Sequence, residues 1–326
     1  MTIAQIKELI SSAEEFMPKE KTDTKEVICI ALKEFMAKVI PPREMLLSPI
    51  IPTQGLVMLY ALRGIGKTQV SLSIALAVAS GKSLFSEKWK CKKPSRVLFI
   101  DGEMPANVLQ ERLAVMIKDY DISSISLDII TPDMQEFGVP NLSEPEGQAK
   151  IEQHIHEDTK LIILDNLSTL CRSGKENDED SWKLIQEWVL KLRSKGKSVL
   201  FIHHSNKGGS QRGTSKKEDI LDTVITLKRP QDYQNEQGAR FEVHYEKSRG
   251  FYGDDAKPFE AWLNEGGWKI SEIEDAELNR VIELHNDGLK QRDIATETGL
   301  NLSKVNRLIK KAEAEKLIEI RRKKTK

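Results

Sequence analysis

The sequence predicts an α/β protein: a mainly parallel sheet closed by a β-meander, with a small helical segment before it and a helical module after it. Three observations carry this. Short apolar runs alternate with longer helical patterns from Gly55 to His203. Those runs are continuously apolar, as strands covered by helices on both faces require. After Ile220 the pattern changes to short runs separated by Gly-, Asn- or Asp-containing turns, and from about Asp275 it is helical again.

Taken in order, residues 1–40 form the first segment. Ile3, Ile6, Leu9 and Ile10 keep a helical period, as do Val27, Ile28, Ala31, Leu32, Phe35 and Val39, and Pro18–Thr24 breaks the two helices. This segment either mediates subunit or partner contact or packs on the second segment. Pro41, Pro42, Pro49 and Pro52 mark a linker, because each lacks a backbone donor and disfavours helix before it. Residues 41–274 form the second segment. Its strands are expected at Leu56–Ala61, Val97–Asp101, Leu161–Asp165 and Val199–His203, with helices at Gln69–Ser80, Ala106–Asp119, Glu146–Glu157 and Ser181–Lys195. The meander is expected at Asp222–Leu227, Ala239–Tyr245, Phe259–Leu263 and Trp268–Ser271. Residues 275–326 form the third.

Composition narrows the function classes. The 326 residues include 50 basic and 50 acidic side chains, a net charge of zero. No apolar run approaches the ~18 residues of a membrane helix, so no membrane role is expected. The N-terminus carries acids where a secretory signal needs an apolar core, and Cys29, Cys91 and Cys171 have no metal or disulfide spacing. A cytoplasmic location is therefore expected. The charge is unevenly placed: residues 276–326 hold 13 basic and 8 acidic groups, and the rest is mildly acidic. Contact with nucleic acid should be local to basic regions.

Ala61-Leu-Arg63-Gly64-Ile65-Gly66-Lys67-Thr68 follows an apolar strand and opens a helix at Gln69. This is a P-loop with Ala in the first glycine position. The glycines let backbone N–H groups turn in around phosphates, Lys67 offers a charge to the β/γ oxygens, and Thr68 offers a hydroxyl to Mg²⁺. The expected ligand is a nucleoside triphosphate with Mg²⁺. Asp165 ends the apolar strand Leu161–Asp165, as the Mg²⁺ aspartate does in such proteins. The following residue is Asn166, which cannot accept a proton, so the general base must lie elsewhere. Glu103, just past Val97–Asp101, is the preferred base, and Asp101 the competing one. His204 is the first choice for a γ-phosphate sensor among His203, His204, Ser205 and Asn206. The loop after it carries Lys207, Arg212, Lys216 and Lys217, three glycines and no acid, which suits close approach to phosphate oxygens.

These residues resemble the RecA-like ATPases of the plasmid-replication RepA helicase type, relatives of hexameric replicative helicases. The resemblance spans roughly residues 45–270. It rests on ALRGIGKT, VLFIDGEMP, LIILDN, FIHHSNKGGSQRGTS and FEVHYEKSRGFYGDDAKPFEAWL, in the family's order and spacing. It implies a RecA-like core in a ring, usually a homo-hexamer, with ATP held between subunits. It also implies Glu103 as the catalytic glutamate, Asp165 as the Mg²⁺ aspartate and His204 as the sensor. Arg249, within Glu246-Lys247-Ser248-Arg249-Gly250, would be an arginine finger supplied to the neighbour, with Lys247 beside it. The Lys207–Lys217 loop would line a channel for single-stranded DNA. The additional N- and C-terminal segments depart from the simplest members, and strand separation does not follow from the resemblance.

The last segment reads as a helix-turn-helix with an incomplete wing at 317–324. Leu278, Val281, Ile282 and Leu284 give the first helix its apolar face, and Gln291–Gly299 forms the second helix and a turn. Ala295 is small where helices cross, Gly299 can take positive φ, and Ile294, Val305 and Leu308 fill the core. Ser303 is expected to cap the third helix, with Lys304, Asn306, Arg307, Lys310 and Lys311 projecting towards duplex DNA.

The expected function is a DNA-dependent, ring-forming ATPase, a replicative helicase or DNA-translocating motor. An ATP-switched DNA-binding regulator without motor activity is the alternative, and a phosphotransferase is disfavoured because no arginine-rich lid follows the P-loop.

Overall fold

A nine-stranded sheet organises the protein. The computed structural model describes residues 28–40, 42–172, 179–205, 219–265, 267–315 and 317–318. Contacts divide the chain into two units, Met1–Pro42 and Arg43–Lys326. Among the described residues of the first unit, one helix is present, α1 (Leu32–Ala37). It is shorter than the periodicity over Val27–Val39 suggested, and Leu32 and Phe35 are exposed.

In the second unit the prolines misled. Residues 45–52 are not a linker: β1 (Met45–Leu47) and β2 (Ile51–Pro52) pair antiparallel, and Leu46, Leu47, Ile50 and Ile51 are buried. Pro49 occupies the turn and Pro52 ends a two-residue strand, positions where a missing N–H costs little. Arg43 fastens this hairpin by a bidentate pair with the buried Asp222, at 3.0 and 2.9 Å.

The main strands are β3 (Leu56–Ala61), β4 (Arg96–Asp101), β5 (Leu127–Ile130), β6 (Thr159–Asp165), β7 (Ser198–His204), β8 (Thr223–Lys228), β9 (Arg240–Ser248), β10 (Phe259–Asn264) and β11 (Gly267–Glu272). Their order is β11-β10-β9-β8-β3-β7-β6-β4-β5. Pairing is parallel from β8 to β5 and antiparallel from β8 to β11, the predicted sheet and meander. Alternate residues of one strand feed two cores. Val57, Leu59 and Ala61 face the side covered by α2 (Lys67–Ser80), while Leu56, Met58 and Tyr60 face the side holding Trp182, Trp188 and Leu192 of α6 (Glu179–Ser194). Between them run α3 (Ala106–Met116), α4 (Pro145–Glu152) and the single turn α5 (Leu167–Leu170). The edge strand β5 escaped sequence reading because its short, half-exposed run LDII lacks a clear apolar period.

Strand β11 runs directly into α7 (Ile273–Asn286), followed by α8 (Gln291–Thr298) and α9 (Leu302–Ala314). These three helices enclose a separate core of Leu278, Val281, Leu284, Ile294, Val305, Leu308, Ile309 and Ala312, against which Ala295 packs. Gly299 takes φ +68° at the turn, as predicted. No described helix is long and apolar enough to cross a membrane.

Candidate functional site

The carboxyl ends of parallel strands converge where α2 begins, and the P-loop lies there. Gly64 and Gly66 have φ of +77° and +118°, which a side chain would strain, and a Cβ at Gly66 would stand 3.3 Å from Ala239. Lys67 donates to the carbonyl oxygens of Ala61 and Leu62 at 3.0 and 2.9 Å. Burial pulls its ammonium down to about 8, against the opposing pull of Asp165 and Glu103. Asp165 is buried and accepts from Ser71 Oγ at 2.8 Å and from the Thr68 hydroxyl. Burial pushes its carboxyl up to about 6, with the Asp101 charge adding and Ser71, Thr68 and Lys67 opposing. Hydroxyl and carboxylate therefore meet beside an ammonium and the first amides of a helix. That donor set fits the phosphates of a nucleoside triphosphate and a hard, oxygen-seeking cation such as Mg²⁺.

A cleft of about 670 Å³ opens over these groups, also lined by Arg63, Ile65, Gln69, Glu103, Asn166 and His204. Strand β4 is separated from β3 by β7 and β6, yet the turn after it brings Glu103 into the cleft. Asp101 is occupied differently: its carboxylate accepts from the backbone N–H of Glu103 and Met104 at 3.0–3.2 Å and from Thr131. Asp101 shapes the turn, whereas Glu103 is largely exposed to the cleft and receives the Asn166 amide at 2.5 Å. His204 Nε2 stands 4.0 Å from the same Glu103 oxygen.

Lys247 and Arg249 lie elsewhere. Lys247 pairs with Val224, which pairs with Met58, and the Arg249 N–H donates to the Asp222 carbonyl at the foot of β8. At ~3.3 Å per residue this places them ~10 and ~16 Å below Ala61, towards the strand ends opposite their own P-loop. Arg249 is exposed there and donates to the Asp219 carbonyl at 3.2 Å. The loop residues Lys207, Arg212, Lys216 and Lys217 fall outside the described residues.

Sequence reading missed two groups near the cleft. Arg112 lines it from α3. Arg229, at the end of β8, donates to the Gly64 carbonyl at 2.6 Å and to those of Gly238 and Arg240 at 2.9 Å, and stacks on Tyr233 at 3.7 Å. Arg229 was legible as a strand-end cation before Pro230.

In the helical module one expectation fails. Ser303 does not cap α9; Asn301 does, its side chain accepting from the Lys304 N–H at 2.8 Å. Asn301 precedes the first helical residue and Ser303 is already inside, so only Asn301 can face the free amides. Nor does Lys304 project: it is half-buried, 2.6 Å from Glu277 of α7. Lys311 lies 3.9 Å from Asp275, and Arg307 lies 3.9 Å from Glu274 while staying exposed. The outward stripe is Ser303, Asn306, Arg307 and Lys310, the spacing of one helix face. Of the expected wing, only residues 317–318 are described.

Comparison with known proteins agrees with this architecture. Residues 29–210 match the family described as AAA domain, and residues 280–319 match that described as winged helix-turn-helix DNA-binding. Among solved structures, the chain is similar to a KaiC-like protein from the hyperthermophilic archaeon Pyrococcus horikoshii OT3. That similarity has 15% identity and a TM-score of 0.48, over 68% of this chain and 90% of the other. No curated protein matches. With more than half its length in the first match, the chain belongs to the AAA domain family of P-loop ATPases and joins that ATPase fold to a winged helix-turn-helix.

Proposed function

We propose that the protein is a DNA-dependent ATPase that works as a ring, usually a hexamer, in the manner of RepA-type helicases. The observation that carries this is the placement of Arg249. It is exposed at the strand ends opposite its own P-loop, so any nucleotide that it serves belongs to a neighbour. In this reading Glu103 takes a proton from water as the water oxygen attacks the γ-phosphorus of ATP. The bond to the β-phosphate oxygen breaks, and ADP and phosphate leave. Lys67 in cis and Arg249, flanked by Lys247, in trans balance the charge on the transferred group. Thr68 and Asp165 would hold Mg²⁺, which supplies charge to the β- and γ-phosphate oxygens. His204 reports the γ-phosphate to the basic Lys207–Lys217 loop, which grips a single strand in the channel, while the helix-turn-helix holds duplex.

The test is the ATPase rate of size-fractionated protein with and without single-stranded DNA. Oligomeric fractions should be stimulated by DNA. A monomer whose turnover is indifferent to DNA would contradict the motor. The second reading, an ATP-switched DNA-binding regulator, is favoured by the contact of Arg280 in the helical module with Asp232, three residues from the Arg229 that bonds the P-loop carbonyl of Gly64. In that case nucleotide would change duplex affinity without DNA-stimulated turnover.

A further inference from the structure

Residues 229–239, the connection from β8 to β9, touch both functional parts of the chain. Towards the cleft, Arg229 donates to Gly64, and Ala239 stands against Gly66, the two P-loop glycines with positive φ. Towards the module, a Cβ at Gly299 would lie 3.1 Å from Gln231 Oε1, so the turn between α8 and α9 rests on that side chain. Asp232 lies 3.2 Å from Arg240 of β9 and 3.7 Å from Arg280 of α7, joining sheet to module by charge. Arg240 is itself fixed by Glu260 at 2.8 and 3.0 Å. The connection is thus rooted in the sheet at one end and in contact with both partners along its length.

Beside these contacts, a cleft of about 620 Å³ separates the module from the end of the sheet, with Lys228 on one wall and Lys304 and Arg307 on the other. The module rests on a few polar contacts next to open space, so it has room to seat differently. Arg229 makes three carbonyl bonds from one planar guanidinium, an arrangement that a lysine cannot reproduce. Any movement of Gly64 when phosphate arrives would move or break the Arg229 contact, with Gln231 and Asp232 only two and three residues further on.

We infer that the 229–239 connection couples occupancy of the P-loop to the seating of the helix-turn-helix, with Arg229 as the positioning residue on the P-loop and Gln231 and Asp232 as the contacts that carry its displacement to the module. This rests on the nucleotide reading of the cleft. Coupling of this kind is reciprocal, so DNA held by the module changes nucleotide affinity by the same factor.

Hydrogen exchange on the full chain, with and without a non-hydrolysable ATP analogue and Mg²⁺, tests it. The wild type should gain protection at residues 61–70 and change its exchange rate at residues 294–302 by about fivefold or more. A Gln231→Ala, Asp232→Ala double variant should keep the first response and lose the second. Arg229→Gln and Arg229→Lys should both raise KM for ATP far more than they change kcat. Protection of residues 61–70 with no change at 294–302 in the wild type would overturn the coupling and leave the nucleotide site standing. A module response that survives in the double variant would overturn the route. No protection at residues 61–70 would sink the nucleotide reading, and the coupling with it.

Discussion

The side-chain amide of Asn166 donates to Glu103 at 2.5 Å, across the boundary between the turn after β4 and the end of β6. Asn166 is buried and also caps α5 by accepting from the Thr169 N–H, so its amide is held in place. It aims the Glu103 carboxylate without supplying a proton or taking one. Glu103→Gln should lower kcat by about 10²–10⁴ while ATP still binds, the range expected for loss of general-base catalysis. Asn166→Ala should lower kcat and kcat/KM together by a smaller factor, because the carboxylate remains but loses its aim. Steady-state kinetics of both variants checks this; near-normal turnover in Glu103→Gln would remove Glu103 from the role.

The two buried charges under the cleft set a pH window. Asp165 must be ionised to hold a cation and takes up a proton below about 6; Lys67 must be charged to hold phosphate and releases its proton above about 8. A plot of kcat/KM against pH should therefore be bell-shaped between these values, since that ratio reports groups of the free enzyme. Lys67→Arg should move the alkaline limb upward. A flat profile across this range would contradict the assignment.

Asp165 also trades stability for binding. Its folded pKa is raised above the ordinary 3.8, so its contribution to stability is fully present below that value and is lost as pH rises through about 6. In nucleotide-free protein at pH 8, Asp165→Asn should raise Tm, by about 2–4 °C per kcal/mol recovered in a domain of this size. The gain should shrink towards pH 4, where the wild-type carboxyl is already neutral, and loss of the charge opposing Lys67 offsets part of it. Thermal melts at both pH values are the check.

The polar side chains of α9 divide into an exposed set that includes Arg307 and Lys310 and a set, with Lys304, held by the module. Arg307→Ala and Lys310→Ala should each reduce the slope of log affinity against log salt for duplex DNA by about 1. Lys304→Ala should leave that slope nearly unchanged, because Lys304 is committed to Glu277. Fluorescence anisotropy over a salt series distinguishes the two classes.

Much of this was legible in the sequence because the informative signals were local. Leu56–Ala61 emerged with its predicted bounds, since a continuous apolar run before a glycine loop admits few other readings. The meander, the Gly299 turn and the Ile294, Val305 and Leu308 core followed from periodicity and turn chemistry in the same way. Long-range features were not legible. Proline spacing over 41–52 suggested a linker, and only the distant Asp222 shows why Arg43 and the short hairpin are held in place. Arg229 gains its meaning from Gly64, far away in sequence. The cap of α9 was missed by two residues, because Asn301 and Ser303 are both good capping types and only the backbone path decides between them.

The central claim is that Arg249 completes a neighbour's site, and mixing two inactive variants tests it most directly. Lys67→Ala lacks the P-loop cation but keeps Arg249; Arg249→Ala keeps its P-loop. In mixed rings, the intact P-loop of an Arg249→Ala subunit can face the Arg249 of a Lys67→Ala subunit. ATPase activity should therefore reappear on mixing and peak at intermediate ratios. No recovery at any ratio, in fractions shown to contain both variants in one oligomer, would contradict the account.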